Sequence, residues 1–358
     1  MGSTWKERAL AGNKGPGIKM TSSKKAQRGL VIAGLAGGSG KSVLAVGVAA
    51  ALARRGVHLV PFKKGPDYID AGWLAIGAGH RCYNLDPYLM SVEAIQNSFA
   101  THGQGAELLL VEGNRGLFDG VSADGEYSTA ELAKMLHLPI LLVVNCTKTT
   151  RTVAALVLGC QQFDRDVTIS GVILNQVATE RQRKVITEAV EKYTGIPVIG
   201  AIPRLKRDIF PMRHLGMIPH QEYIGSNEAL DFLADLVVNH VDLDKVCEAA
   251  EELDVQKHGA PVQTAAVVAE QAADSVVIGV LQDAAFQFYY AENLESLERA
   301  GARLVYLDAM RDTELPDELD GLYIGGGFPE TGAAQLAANK SFRDSVKRAA
   351  DNDLPIYA

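Results

Sequence analysis

Residues 30–54 read LVIAGLAGGSGKSVLAVGVAAALAR, and this stretch decides the fold. Its first four residues are apolar and partly β-branched, which predicts a strand. Residues 42–54 are nearly all Ala, Val and Leu up to Arg54. A helix with so little polar face must be buried against a sheet. Between the two lies Gly34-Leu35-Ala36-Gly37-Gly38-Ser39-Gly40-Lys41-Ser42. A glycine-rich turn between a strand and a helix is the setting of a phosphate cradle, where backbone N–H groups at the helix start point at anionic oxygens. The common spacing puts a glycine where Leu35 stands. The loop is therefore a variant, with Gly34, Gly38 and Gly40 permissive and Ser39 among them. Lys41 is placed to neutralise the outer phosphates, and Ser42 to put its hydroxyl on Mg2+. A phosphate loop alone does not name a reaction.

Working outward, strands are expected at 57–62, 108–111, 140–144, 168–174 and 198–202, with helices at 129–136, 152–160 and 181–193. This alternation predicts an α/β fold, a P-loop NTPase-type, mostly parallel sheet with helices on both faces. The stretch 63–105 is longer than a usual connection and is expected to hold helices that wall the sheet's carboxyl edge. Helices at 227–239 and 242–253 lead to a linker at 257–264. A second α/β pattern follows, with strands at 276–281, 302–307, 322–325 and 354–357 and helices at 291–300, 331–338 and 341–350. The expected division is a tail over 1–28, a nucleotide-binding domain over 29–240, a helix and linker over 241–264, and a second domain over 265–358. The first 28 residues carry seven Lys or Arg against one acid and no apolar core, so they predict a disordered basic tail and not a Sec-type signal. No apolar run is long enough for a membrane span. A net charge of -8 gives no reason to expect nucleic acid as a partner. Cys82, Cys146, Cys160 and Cys247 show no CxxC pair or metal-ligand spacing, which predicts buried thiols in a reducing cytosol.

The candidate chemistry sits at strand ends, where ligands of such sheets bind. After the second strand, Lys63-Lys64-Gly65-Pro66-Asp67-Tyr68-Ile69-Asp70 carries two lysines and then two carboxylates. Asp67 suits Mg2+, and Asp70 either binds the metal or orients an incoming group. The lysines suit an anionic substrate or phosphate. The alternative is a solvated turn, since Gly-Pro-Asp is good turn chemistry. Glu112 ends the next strand, within reach of Mg2+ or its water. Arg115 and Asp119 either contact substrate or form a structural ion pair. Asn175 either reads adenine or serves as a cap or turn residue. Arg213 and His214, near Arg204, Lys206 and Arg207, either meet phosphate and carboxylates or form a solvated basic face.

Seven segments in order carry a resemblance: the loop ending Gly-Lys-Ser42, FKKGPDYID at 62–70, VEGNRGLFDG at 111–120, STAELA at 128–133, RHLG at 213–216, FYYAENL at 288–294 and LYIGGGFPE at 322–330. The chain from 30 to 358 resembles the cobyrinic acid a,c-diamide synthase family of glutamine amidotransferases. GLAGGSGKS and FKKGPDYIDAGW look more like the branch that amidates sirohaem in dissimilatory sulfur metabolism, with the cobalamin branch close by. The resemblance implies ATP and Mg2+ as cofactors and a tetrapyrrole carboxylate as substrate. ATP would phosphorylate the carboxylate, and ammonia would displace phosphate to leave an amide. It implies catalytic roles for Lys41, Asp67, Asp70 and Asp119 and metal contacts from Ser42, Asp67 and Glu112. Nucleotide contacts would come from the loop, Asn175 and Arg213. Substrate contacts would come from Lys64, Tyr68, Ile69, Arg115 and His214.

The second domain would be the opening part of a class I glutaminase-like α/β domain, with Gly325, Gly326 and Gly327 resembling its oxyanion loop. The family's cysteine follows a segment like LPIYA, which ends here at Ala358. Glutamine hydrolysis is therefore not expected of this chain. Free ammonia is the expected alternative supply, and a homodimer or a completing glutaminase chain is the expected protein partner. Asn145 stands where the family commonly has Asp, which removes a charge that would face Mg2+. The rivals are a dethiobiotin-synthetase-like ligase, which leaves GGGFPE unexplained, and a P-loop ATPase acting as a switch or scaffold. The long wall at 63–105 and the second domain speak against the switch.

Overall fold

The structure is a computed structural model that describes residues 26–205, 212–213, 216–219, 225–253 and 275–358. The expected tail up to residue 25, the linker at 257–264, Lys206, Arg207 and His214 lie outside the described residues.

Strands β1 (Arg28–Gly34), β2 (Leu59–Lys64), β3 (Tyr83–Leu85), β4 (Leu108–Glu112), β5 (Ile140–Asn145), β6 (Ile169–Val177) and β7 (Val198–Pro203) form one sheet. Its order is β3-β2-β4-β1-β5-β6-β7, and all these neighbours are parallel. The sheet is buried on both faces because alternate side chains of one strand point to opposite sides. Leu30 and Ile32 enter one core, and Val31 and Ala33 enter the other. The first core includes α1 (Lys41–Arg54) and α2 (Tyr68–Ala78), the second α3 (Val92–His102), α4 (Thr129–Met135), α5 (Thr152–Phe163) and α6 (Glu180–Thr194). Every residue of α1 from Leu44 to Leu52 is buried, as its composition demands. The helix α7 (Ser226–His240) packs over it. A Cβ at Gly47 would stand 2.7 Å from Val237, so glycine sets how close the two helices come.

One expectation along this sheet gains an element and one needs correction. The wall at 63–105 contains α2 and α3, but also β3, an edge strand of three residues. Three residues are too few to show a period-two pattern. The segment 242–253 is not one helix. Helix α8 (Leu243–Ala249) stops, and β10 (Glu251–Glu252) pairs antiparallel with Arg28 and Gly29. β5 joins β1 only from Val31 onward, which leaves the start of β1 open to this pairing. Between β7 and α7 lie the short pair β8 (Met212–Arg213) and β9 (Gly216–Met217).

A second parallel sheet has the order β13-β11-β14-β16, built from β11 (Val277–Leu281), β13 (Arg303–Leu307), β14 (Gly321–Ile324) and β16 (Ile356–Tyr357). It has its own core around Val277, Leu281, Leu307, Leu322 and Phe342. Helices α9 (Ala291–Arg299), α10 (Ala333–Ala338) and α11 (Lys340–Asp351) accompany it. A two-stranded ribbon, β12 (Phe286–Phe288) with β15 (Gly326–Gly327), was not legible in the sequence pattern. Among the described residues no helix is long and apolar enough to cross a membrane.

Candidate active site at the phosphate loop

The loop 34–42 turns from β1 into α1 as its sequence requires. Gly38 and Gly40 have φ of 73° and 89°, a region that side chains rarely adopt. Gly40 is also the N-cap, and no side chain caps the helix or adds an acid to its first turn. The free N–H groups and the positive end of the helix dipole therefore remain directed to a ligand. Lys41 is buried, and burial lowers its pKa while Glu112 pulls the other way.

The register of β2 against β4 sets Lys63 beside Glu112. Lys63 Nζ lies 3.0 Å from Glu112 Oε1, 3.2 Å from Asp70 Oδ2 and 3.6 Å from Asp67 Oδ2. It also donates to the Gly113 carbonyl at 3.2 Å. Ser42 Oγ is 2.8 Å from Asp70 Oδ2 and 2.6 Å from Glu112 Oε1, so its one proton is shared between two carboxylates. Asp67 caps α2, accepting the Asp70 N–H at 3.0 Å. The turn role and the site role of Asp67 thus coexist. Burial alone would discharge Lys63, but Glu112, Asp70 and Asp67 outweigh it and hold the ammonium above its ordinary range. Burial pushes Glu112 up to about 7 against the pull of Lys63. Burial would also raise Asp70, but Lys63 and the Ser42 hydroxyl bring its pKa below the ordinary value.

These oxygens suit Mg2+, a hard cation that takes one or two carboxylates and completes its shell with phosphate and water. Glu112 Oε2 is buried without a hydrogen-bond partner, an orphaned acceptor facing that chemistry. Among the described residues no three His, Cys, Asp or Glu side chains form a self-sufficient metal centre, so phosphate oxygens would have to contribute.

Other predicted residues stand elsewhere. Asn175 Nδ2 donates to the Ser39 carbonyl at 2.8 Å, and its Oδ1 accepts the Gln176 N–H. Its amide holds the loop. Asp119 Oδ2 accepts the Gly116 N–H at 2.9 Å, and no ion pair joins Asp119 to Arg115 among the described residues. Leu117 N–H in turn donates to the Gly34 carbonyl at 2.7 Å, so this turn buttresses the phosphate loop. Lys64 points away from Lys63. Burial lowers its pKa, with Asp86 opposing and the charges of Lys63 and Arg115 adding to the lowering. Lys64 thus sits among Asp86, Lys63 and Arg115, with the carboxylate the strongest of the three charges on it. Asn145 Oδ1 accepts the Thr147 N–H at 2.9 Å. Arg213 falls in β8.

Ile69 packs against the first core, whereas Tyr68 stacks on Phe288 with ring centres 4.9 Å apart and meets Tyr290 at 4.8 Å. The start of α2 is therefore tied to the second unit. A second tie was missed: Glu295 of α9 accepts from Arg81 Nη1 at 2.8 Å, Tyr83 OH at 3.0 Å and His102 Nε2 at 3.1 Å. No sequence spacing announces it. The central place of Lys63 was also missed, although a lysine following an apolar run into a sheet's carboxyl edge is a signal. In the glycine run, Gly325 N–H donates to Tyr289 OH at 2.7 Å, so this N–H is engaged rather than directed outward. A Cβ at Gly327 would lie 1.8 Å from the Ala285 carbonyl, so close approach is what requires glycine there. The cysteines are all free, Cys82 and Cys146 buried, and burial raises the Cys146 thiol to about 11.

A parallel sheet with this loop at its central strand and a ring of carboxylates at the loop's serine defines a P-loop nucleotide-binding protein. Residues 30–215 match the CobQ/CobB/MinD/ParA nucleotide binding domain, and residues 277–358 match the CobB/CobQ-like glutamine amidotransferase domain. The cobyrinate a,c-diamide synthase of Magnetococcus marinus is 42% identical over 321 residues, spanning 89% of this chain and 68% of that protein. That of Archaeoglobus fulgidus is 39% identical over 333 residues, spanning 92% and 70%. That of Methanosarcina barkeri is 40% identical over 332 residues, spanning 89% and 66%. The chain belongs to the cobyrinate a,c-diamide synthase family.

Proposed function

We propose that this protein amidates side-chain carboxylates of a tetrapyrrole, using ATP and ammonia, through an acyl phosphate. The observation that carries the reading is the convergence of Asp67, Asp70 and Glu112 on Lys63 beside the phosphate loop, with the loop's Ser42 bonded to two of these acids. A free carboxylate is a poor electrophile. Attack of its oxygen on the terminal phosphorus of ATP breaks the bridging P–O bond and releases ADP, leaving a mixed anhydride with a good leaving group. Ammonia then attacks the carbonyl carbon, phosphate departs, and the nitrogen loses a proton to give the amide.

In this reading the N–H groups at the start of α1 and Lys41 hold the phosphates and stabilise charge as it moves to the bridging oxygen. Ser42, Asp67 and Glu112 would hold Mg2+, which supplies charge neutralisation on the phosphates. Asp70, kept ionised by Lys63, orients the acceptor or ammonia. Lys64 and Arg115 suit the substrate's carboxylates, and Tyr68 lines the substrate side. Arg213 would contact the nucleotide. The matched relatives favour a cobyrinic acid-like substrate, and the loop sequences favour sirohaem. Ammonia, which the family takes from glutamine, would reach this chain free or from a completing glutaminase chain; the Gly325–Gly327 run resembles an oxyanion loop. Val241, Leu243, Val246 and Ala250 are buried in the first core, which supports a first domain that runs past residue 240.

The test is mass spectrometry after incubation with ATP, Mg2+ and high ammonium, with sirohaem and cobyrinic acid in separate reactions. The expected product shows amide in place of acid on one of them. ATP turnover with no amide on either macrocycle would favour the switch or scaffold.

A further inference from the structure

We infer that Lys63 is a positioning residue that keeps the acidic group at the phosphate loop closed to a divalent cation until nucleotide phosphates bring one in. The side chain is 1% exposed, so no water layer separates its charge from the acids. An ammonium has three protons. Here they face Glu112 at 3.0 Å, Asp70 at 3.2 Å and the Gly113 carbonyl at 3.2 Å, with Asp67 at 3.6 Å. Ser42, the hydroxyl expected on the metal, is bonded to two of the same carboxylates. The internal cation therefore occupies the acids a metal would use. It is fixed by the pairing of β2 with β4, so it does not leave as a surface lysine would.

Two consequences follow from charge alone. With Lys63 in place, a bare divalent ion meets one buried positive charge and largely compensated acids, with Lys41 adding a second cation nearby. Bound triphosphate adds several negative charges and new oxygen ligands, and only then is a second cation welcome. Without the ammonium, three acids share a buried space with only Lys41 nearby as counter-charge, and a bare divalent ion becomes the best available replacement. Lys63 thus makes metal binding conditional on nucleotide. This rests on the reading that the loop binds a metal–nucleotide complex.

The experiment titrates Mn2+, followed by its electron paramagnetic resonance signal, into the full chain with and without a non-hydrolysable ATP analogue. Thermal melting is recorded on the same samples. Wild type should bind Mn2+ tightly only with the analogue. Lys63→Met should melt lower, bind Mn2+ without nucleotide at least about tenfold more tightly than wild type, and be restabilised by it. Lys63→Arg, which keeps the charge, should behave as wild type. A residue serving only stability would lower the melting point without creating nucleotide-free binding. Wild type binding Mn2+ equally well with and without the analogue, or folded Lys63→Met binding it no better than wild type, overturns the inference. If Lys63→Met does not fold, the wild-type pair of titrations decides alone. If wild type fails to bind the analogue with Mn2+ present, the nucleotide reading itself falls.

Discussion

Lys41 and Asn175 both serve the phosphate loop, one from within it and one from β6. Lys41 is the buried cation at the start of α1, and its replacement by Ala removes charge where phosphate charge develops. Amide formation should fall by about a hundredfold or more, measured by the mass-spectrometric assay, while the melting temperature changes little. Asn175 acts through backbone. Asn175→Ala leaves the Ser39 carbonyl unpaired, which costs about 1–2 kcal/mol. If its amide serves only to hold the loop, affinity for ATP and GTP should drop by the same factor in a fluorescence titration. A selective loss of ATP would instead restore a base-reading role. Both residues were singled out in sequence, but only Lys41 has its chemistry written in the motif. The use of an asparagine amide depends on which carbonyl lies opposite, and that carbonyl is 136 positions away.

Among the elements, the strands and helices of the first sheet were legible because each is long enough to show its period. The exceptions are short or borrowed. β3 has three residues, β10 two, and β12 and β15 exist only because they pair with one another. The glycines of β15 illustrate the point. Gly325, Gly326 and Gly327 resemble an oxyanion loop in sequence, and none of them has positive φ. They are glycines because backbone and rings press on them. A methyl group at Gly327 would overlap the Ala285 carbonyl, which is backbone and cannot swing aside. Gly327→Ala should destabilise the second unit by about 2 kcal/mol or more, visible as a lowered thermal transition, with nucleotide affinity at the first sheet retained.

At the scale of the molecule, the tie between the two sheets is carried by Glu295 and by the stack of Tyr68 on Phe288. Burial would raise the Glu295 carboxyl, but hydrogen bonds from His102, Arg81 and Tyr83 outweigh it and bring it down to about 2 from an ordinary 4.5. Because the folded value is depressed, the ionised acid stabilises the fold above pH 4.5, and that contribution is lost as pH falls from 4.5 towards 2. The carboxylate is 17% exposed, so its contribution near neutrality is at most about 3 kcal/mol. Glu295→Gln should therefore melt below wild type at pH 7, and the gap should close as the pH is lowered through 4.5. A gap that stays constant with pH would show that the charge of Glu295 is not what joins the two units.

The sequence by itself determined the doubly covered parallel sheet, the phosphate loop and the carboxylates at its rim, because local period, glycine spacing and strand ends are written in neighbouring residues. The tertiary structure alone decided which lysine of the pair Lys63 and Lys64 faces the acids, what Asn175 and Asp119 hold, and how the second unit is tied to the first. Each of these depends on strand register or on partners far along the chain, and a half-turn of side-chain direction along β2 separates the buried counter-ion from its neighbour.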